Sequence, residues 1–209
     1  MCAVYRPTSD TVWAKQTLGV DLPRVDQDVY PGQSGPILVQ SRRDGRRGVG
    51  LARFGLIAPW AKDTKLGRHT YNARSETVAV KPSFKQAWRA QQFAVVLVDH
   101  FFEPCYETGQ AVRWQIRTTS GEPFGIAGLW QRWVDPKSAE IVASFTMLTI
   151  NADSHPVMQR FHRPADEKRT PVVLPGVLFD AWLSATVETA PSLLNLSVLP
   201  ELVSEPASG

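Results

Sequence analysis

The most constraining feature of this sequence is a series of short runs rich in Val, Ile, Phe and Trp. Each is closed off by Gly, Pro, Asp or Ser before it can grow into a long helix. The runs are Gly35–Gln40, Gly50–Ile57, Phe93–Val98, Val112–Thr118, Phe124–Leu129, Ala143–Ile150 and Val172–Leu174. Asp44-Gly45, inside the arginine-rich stretch Ser41–Gly48, marks a hairpin between the first two runs. Only three segments suggest helix. Ser83–Gln92 follows Pro82 and places Phe84, Ala87 and Trp88 on one face; Asp153–Phe161 starts on an Asp cap; Gly176–Ala185 has a short apolar pattern. The expected fold is α+β, mainly antiparallel β, with a few flanking helices.

The length of 209 residues suits one domain with its own core. We expect that domain over residues 1–190. The Ser-, Pro- and Leu-rich remainder, 191–209, is expected to be a partly disordered tail. No apolar run is long enough to span a membrane, and MCAVYRPTSD lacks the apolar stretch of a secretory signal. A cytoplasmic monomer is the expectation. The two cysteines, Cys2 and Cys105, have no metal-ligand spacing, and a reducing cytosol disfavours a disulfide between them. Neither a metal nor an organic cofactor is expected.

The net charge of +3 conceals an asymmetry. All 23 Lys and Arg fall within residues 1–169, against 16 acids, which gives that body +7; residues 170–209 carry only four acids and so −4. A basic body can hold a polyanion, although many surfaces are mildly basic.

Several residue groups could carry chemistry. Cys2 becomes the N-terminal residue if the initiator Met1 is removed, and then bears an α-amine and a thiol together. The α-amine has a reference pKa near 8, so a useful fraction is neutral and nucleophilic at pH 7. It can form a Schiff base with an aldehyde, and the adjacent thiol can close a five-membered thiazolidine ring on the imine carbon. The plainer alternative is a small residue that happens to sit near a terminus. Asn72 and Arg74, in Asn72-Ala73-Arg74-Ser75-Glu76-Thr77, offer amide and guanidinium groups suited to orientation and phosphate contact, or else form a polar turn with Glu76. Glu103 follows two aromatics at the end of an apolar run, where desolvation would fit it for acid–base work; as a strand-end acid it could equally face water. His162 stands among Arg160, Arg163 and Arg169, where a proton carrier or a structural histidine would both fit.

In order and wording, these groups resemble the SOS response-associated peptidase (SRAP) family of abasic-site processing proteins. The resemblance runs from Cys2 to about Val173. It rests on the initial Met-Cys, GLIAPW, NARSET, KPSF, DHFFEP, PFGIAGLW with Trp130, TMLTINA, and the histidine before PVVL. It implies a mainly β domain with a basic groove for single-stranded DNA that contains abasic sites. It also implies catalytic roles. Cys2 would crosslink the ring-opened sugar, Asn72 would orient the centre, Glu103 would promote ring opening, and His162 would shuttle protons. Arg74, Trp60, Pro31, Arg6, Arg163 and Arg169 would face the DNA.

Some positions depart from the family pattern. Ala3 and Val4 follow Cys2 where relatives carry Gly-Arg, which leaves Arg6 as a substitute. Gln92, Phe93 and Ala94 replace a basic pair and a cysteine, and His100 replaces a glycine. Pro164–Lys168 is extra chain before Arg169, so His155 is the rival to His162. Two other functions fit the same residues. One is a cysteine peptidase with Cys2 as nucleophile, for which release of Met1 would be the minimal activity. The other is a non-covalent single-strand binder that uses Arg42–Arg47 and exposed tryptophans. A Schiff base also acidifies the neighbouring sugar proton, so strand cleavage by β-elimination follows as a side reaction.

Overall fold

Alternation along the strands sets the architecture. In β5 (Phe93–Cys105), Ala94, Val96 and Val98 join one buried cluster, while Phe93, Val95 and Leu97 join another. A strand buried on both faces belongs to a sheet that is covered outside and closed inside. In the computed structural model, which describes residues 2–207, five strands close a barrel. β7 (Phe124–Val134) pairs with β8 (Ile141–Asn151), then come β3 (Arg47–Phe54), β2 (Ser34–Gln40) and β5, which returns to β7. All pairings are antiparallel except β3 and β4 (Asn72–Arg74), which run parallel to β8. The remaining strands extend this sheet. β1 (Val4–Pro7) lies on β5; β6 (Val112–Thr118) also pairs β5; β9 (Arg169–Pro171) lies on β8; β10 (Val173–Leu174) lies on β7.

The inner cluster contains Ile37, Phe54, Val96, Ile126, Phe145 and Met147. The outer one is covered by α2 (Lys85–Arg89) and α3 (Phe179–Leu183) through Trp88, Phe179 and Trp182. Trp182 reaches the sheet with its indole N–H on the Ala94 carbonyl at 2.9 Å, so its one polar atom is satisfied.

The structure differs from the sequence expectation in three places. A helix α1 (Thr11–Leu18) forms where none was expected. Asp10 caps it by accepting from the Trp13 N–H, and Gly19 ends it at φ 69°. The expected helix over Asp153–Phe161 is only a 3₁₀ turn, Met158–Arg160. Here Asn151 accepts from the Asp153 N–H, and His155 Nδ1 accepts from the amides of Val157 and Met158, which stand in for helical partners. The chain end 191–209, expected to be partly disordered, contains β11 (Leu202–Pro206), paired along its length with β6 and burying Leu202. Pairing supplies its backbone with partners that a Ser/Pro-rich composition does not advertise. Ser208 and Gly209, the rest of that tail, lie outside the described residues.

Candidate functional site

The register of β1 against β5 builds the site. Val4 faces Phe102 and Tyr5 faces Phe101, and Cys2, just before β1, lies close enough to Glu103 to feel its charge. The segment after the 3₁₀ turn approaches β5 from elsewhere. Phe161 bridges Cys105, and the His162 amide donates to the Pro104 carbonyl at 3.1 Å. This pins His162 in a left-handed conformation, φ 65°, which is uncommon for a residue with a side chain. The result is an imidazole Nε2 3.3 Å from a Glu103 carboxylate oxygen, with the carboxylate fully buried and His162 8% exposed.

Cys2 has no accessible surface, and its thiol lies 3.7 Å from the Val4 carbonyl. Burial raises its pKa well above the ordinary thiol value, and the charge of Glu103 raises it further. The resting thiol is therefore protonated at neutral pH. Asn72 enters on β4, beside Met147 of β8; its Nδ2 donates to the Tyr71 carbonyl at 3.0 Å, and its buried Oδ1 has no hydrogen-bond partner among the described residues.

Two phenols that the sequence did not single out complete the surroundings. Tyr71 is pushed up by burial, then by Glu103 and Cys2; Tyr5 is pushed up by burial and Cys2. Both pack edge-on against Phe54, at 5.7 and 5.6 Å between ring centroids. A Cβ on Gly35 would fall 2.0 Å from the Tyr5 hydroxyl, so a glycine there keeps room for that ring. Neither phenol lies in a strand-like run or a polar motif, so nothing local in the sequence marks it out.

The residues expected to face DNA separate into two groups. Trp60 is 58% exposed on the loop beyond β3, tethered by its indole N–H to the Pro82 carbonyl at 3.4 Å. Arg74 is exposed and paired with Glu167 at 2.7 Å. Arg6 pairs with Asp28 at 2.7 Å, Arg163 is exposed near the Tyr106 ring, and Pro31 is half-buried in the turn before β2.

Arg169 is the correction: it is 2% exposed, and its guanidinium reaches Glu76, Glu167 and the Thr149 carbonyl at 2.6–2.9 Å. It holds the NARSET turn to β8 and β9, and a phosphate would have to displace two carboxylates to reach it. Arg169→Ala is accordingly expected to lower stability in urea unfolding by about 2–4 kcal/mol, below the full cost of breaking a buried pair because Glu76 is half-exposed. Arg169 holds the carboxyls of Glu76 and Glu167 below their usual range. A depressed carboxyl contributes stability that is present above its unfolded value and lost as pH falls through the folded one. The variant should lack that part of the acid loss.

Among the described residues, no cluster of His, Cys, Asp or Glu could hold a metal, and no helix is long and apolar enough to cross a membrane. Both cysteines are free and buried.

A buried thiol at the second position, raised by the charge of a glutamate that pairs with a histidine, is an arrangement that comparison can place. The profile described as "SOS response associated peptidase (SRAP)" matches residues 1–205. The chain belongs to the SRAP family. Among relatives of this SRAP chain, the abasic site processing protein YoqW of Bacillus subtilis is 29% identical over 174 residues, covering 83% of this chain and 72% of that one. The abasic site processing protein HMCES of Gallus gallus is 26% identical over 217 residues, covering 85% and 60%. A solved structure from Bordetella bronchiseptica has a TM-score of 0.86 at 29% identity, covering 99% of this chain and all of that one. One from Bacteroides thetaiotaomicron, with a TM-score of 0.74 at 20% identity over 99% of this chain and 92% of that one, shares the SRAP fold.

Proposed function

We propose that this chain recognises abasic sites in single-stranded DNA and captures them covalently through Cys2, after Met1 is removed. Met1 lies outside the described residues, and its release, by the chain itself or by another activity, is part of the proposal. The observation that carries the reading is the burial of Cys2 beside the Glu103–His162 pair, at the one place in the chain where a thiol and an α-amine can share a residue. The relatives named abasic site processing proteins support the substrate.

The chemistry follows from the side chains. Glu103 promotes opening of the sugar hemiacetal to its aldehyde. The Cys2 amine adds to the carbonyl carbon and water leaves, giving an imine. The thiol then adds across the C=N bond; sulfur bonds to carbon and the proton ends on nitrogen. A buried protonated thiol needs a base for this step, and the pairing of His162 with Glu103 supports His162 in that role. The open Oδ1 of Asn72 can accept from the amine and fix its approach, which lowers the entropic cost of the attack. An enclosed site favours the abasic sugar because the absent base leaves room. Trp60 offers a flanking base a stacking surface worth ~1–3 kcal/mol, and Arg74, Arg6 and Arg163 offer phosphate contacts. Ring closure consumes the imine and so suppresses β-elimination, which makes the product a shield for the lesion.

The test is denaturing electrophoresis of the full chain with single-stranded DNA carrying one abasic site, beside intact DNA. A heat-stable band that needs the lesion, with the added mass on the N-terminal peptide, is expected. No band from a chain whose N-terminal Cys has been verified by mass would remove the covalent reading and leave hydrolysis of peptides, or plain strand binding, to be measured. Glu103→Gln should slow formation of the band by about 10²-fold. It should also lower the pH at which the Cys2 thiol ionises, since it removes a charge that raises that pKa; the pH dependence of alkylation of denaturant-free protein reads this directly.

A further inference from the structure

The hairpin end of the barrel carries a groove that the reaction at Cys2 does not use. It is an open cavity of about 500 Å3 lined by the end of β2, the turn, the start of β3, Gln92 and the β7 residues Trp130 and Arg132. Trp130 is half-buried, its amide held by the Gln92 carbonyl at 2.9 Å, and the Arg132 guanidinium lies 5.7 Å from its ring. Arg132 and Arg43 have no carboxylate partner among the described residues. Arg46 is 88% exposed and only 3.9 Å from Asp44 at its nearest. Asp180 is matched by Arg47 at 2.6 Å. Arg42 is committed elsewhere, donating to the carbonyls of Gln91 and Ala185. Arg46 and Arg132 therefore face solvent on the lining of this groove beside the Trp130 ring, and Asp44 is tied to its own turn through the Arg46 amide.

We propose that this groove is a second contact for a single nucleic-acid strand, with Arg46 and Arg132 on phosphates and the Trp130 face under a base. A fixed ring beside unmatched guanidinium groups is the combination that holds single strands without reading sequence. β3 joins the groove to the reaction centre: Arg47 begins it and Phe54, packed on Tyr5 and Tyr71, ends it. At about 3.3 Å per residue the two lie roughly 23 Å apart. The groove thus cannot be part of the abasic pocket; it grips the strand at a distance from the lesion. This rests on the reading that the chain holds DNA, and the experiment separates the two.

The full chain and an Arg46→Gln/Arg132→Gln variant would be titrated with labelled oligothymidylate of thirty nucleotides across a salt series. Each lost phosphate contact removes about 0.7 from the slope of log affinity against log salt, so the variant should lose roughly 1.4. Both chains should capture a trinucleotide with the abasic site at its centre at the same rate, because one nucleotide on either side of the lesion is too short to reach the groove. An unchanged slope overturns the groove, even if capture at Cys2 is confirmed. A reduced slope with no capture would leave the groove standing and remove the Cys2 chemistry. If polyglutamate of matched charge displaces the thirty-mer as well as unlabelled oligothymidylate does, the groove takes acidic peptide and the nucleic-acid assignment falls.

Discussion

A Cys2→Ala chain is expected to give no heat-stable band with abasic single-stranded DNA, yet to be trapped on the same DNA by borohydride. Alanine is small enough to allow loss of Met1 and leaves the α-amine in place, so the imine still forms. Without sulfur there is nothing to close the ring, and the imine either hydrolyses or undergoes β-elimination. Strand cleavage should therefore rise as stable capture disappears, and the two products can be counted on one gel. Cys2→Ser should behave like Cys2→Ala, because a neutral hydroxyl is a far weaker nucleophile than a thiol served by a base. A heat-stable band retained in Cys2→Ala would place the bond on another amine. Lys168 is one to examine, since its ammonium lies 3.3 Å from the His162 carbonyl. Failure of borohydride trapping would mean that the amine does not attack first, and the order of steps proposed for Cys2 would have to be reversed.

What the sequence disclosed depended on whether a residue's fate was decided locally. β5 and β8 could be read because their apolar runs persist over several residues, as strands buried on both sides do. β1 could not, since Val4 and Tyr5 alone make no pattern; it is a strand because β5 offers it partners. β4 has only three residues, and its parallel pairing to β8 is wholly a matter of topology. Helix α1 was legible after all, from Asp10 before it and Gly19 behind it, but its weak amphipathic face hid it. The catalytic candidates came from motif order. Long-range chain geometry then brought Cys2, Glu103 and His162 together from three parts of the sequence, with the Pro104 carbonyl fixing the histidine. Arg169 shows the converse. As a cation beside the histidine segment it looked like a phosphate ligand, and only the fold reveals that Glu76, ninety-three residues away, already holds it.

Gly55→Ala is expected to cost roughly 3–6 kcal/mol, enough to unfold much of the population of a domain of ordinary stability. Two effects add. Gly55 sits at φ 115°, where a residue with a side chain is strained, and its Cβ would come 2.1 Å from the Gly67 carbonyl oxygen, a backbone atom that cannot rotate away. That contact joins the end of β3 to the 3₁₀ turn Thr64–His69, and the Thr70 hydroxyl ties the same turn to the Leu56 carbonyl at 2.6 Å. The loop so fastened displays Trp60 and leads directly into Tyr71 and Asn72, so any variant that folds should also capture abasic DNA more slowly. Gly50→Ala is the control. It lies within β3, the strand that Gly55 follows, with nothing within 4 Å of the added carbon, and should be neutral or slightly stabilising through the unfolded chain. Urea midpoints that fall together in both variants would show that the β3 segment resists added bulk in general. A fall confined to Gly55 would locate the constraint at its contact with Gly67, and the folded fraction's capture rate would then report how far the Trp60 and Asn72 segments depend on it.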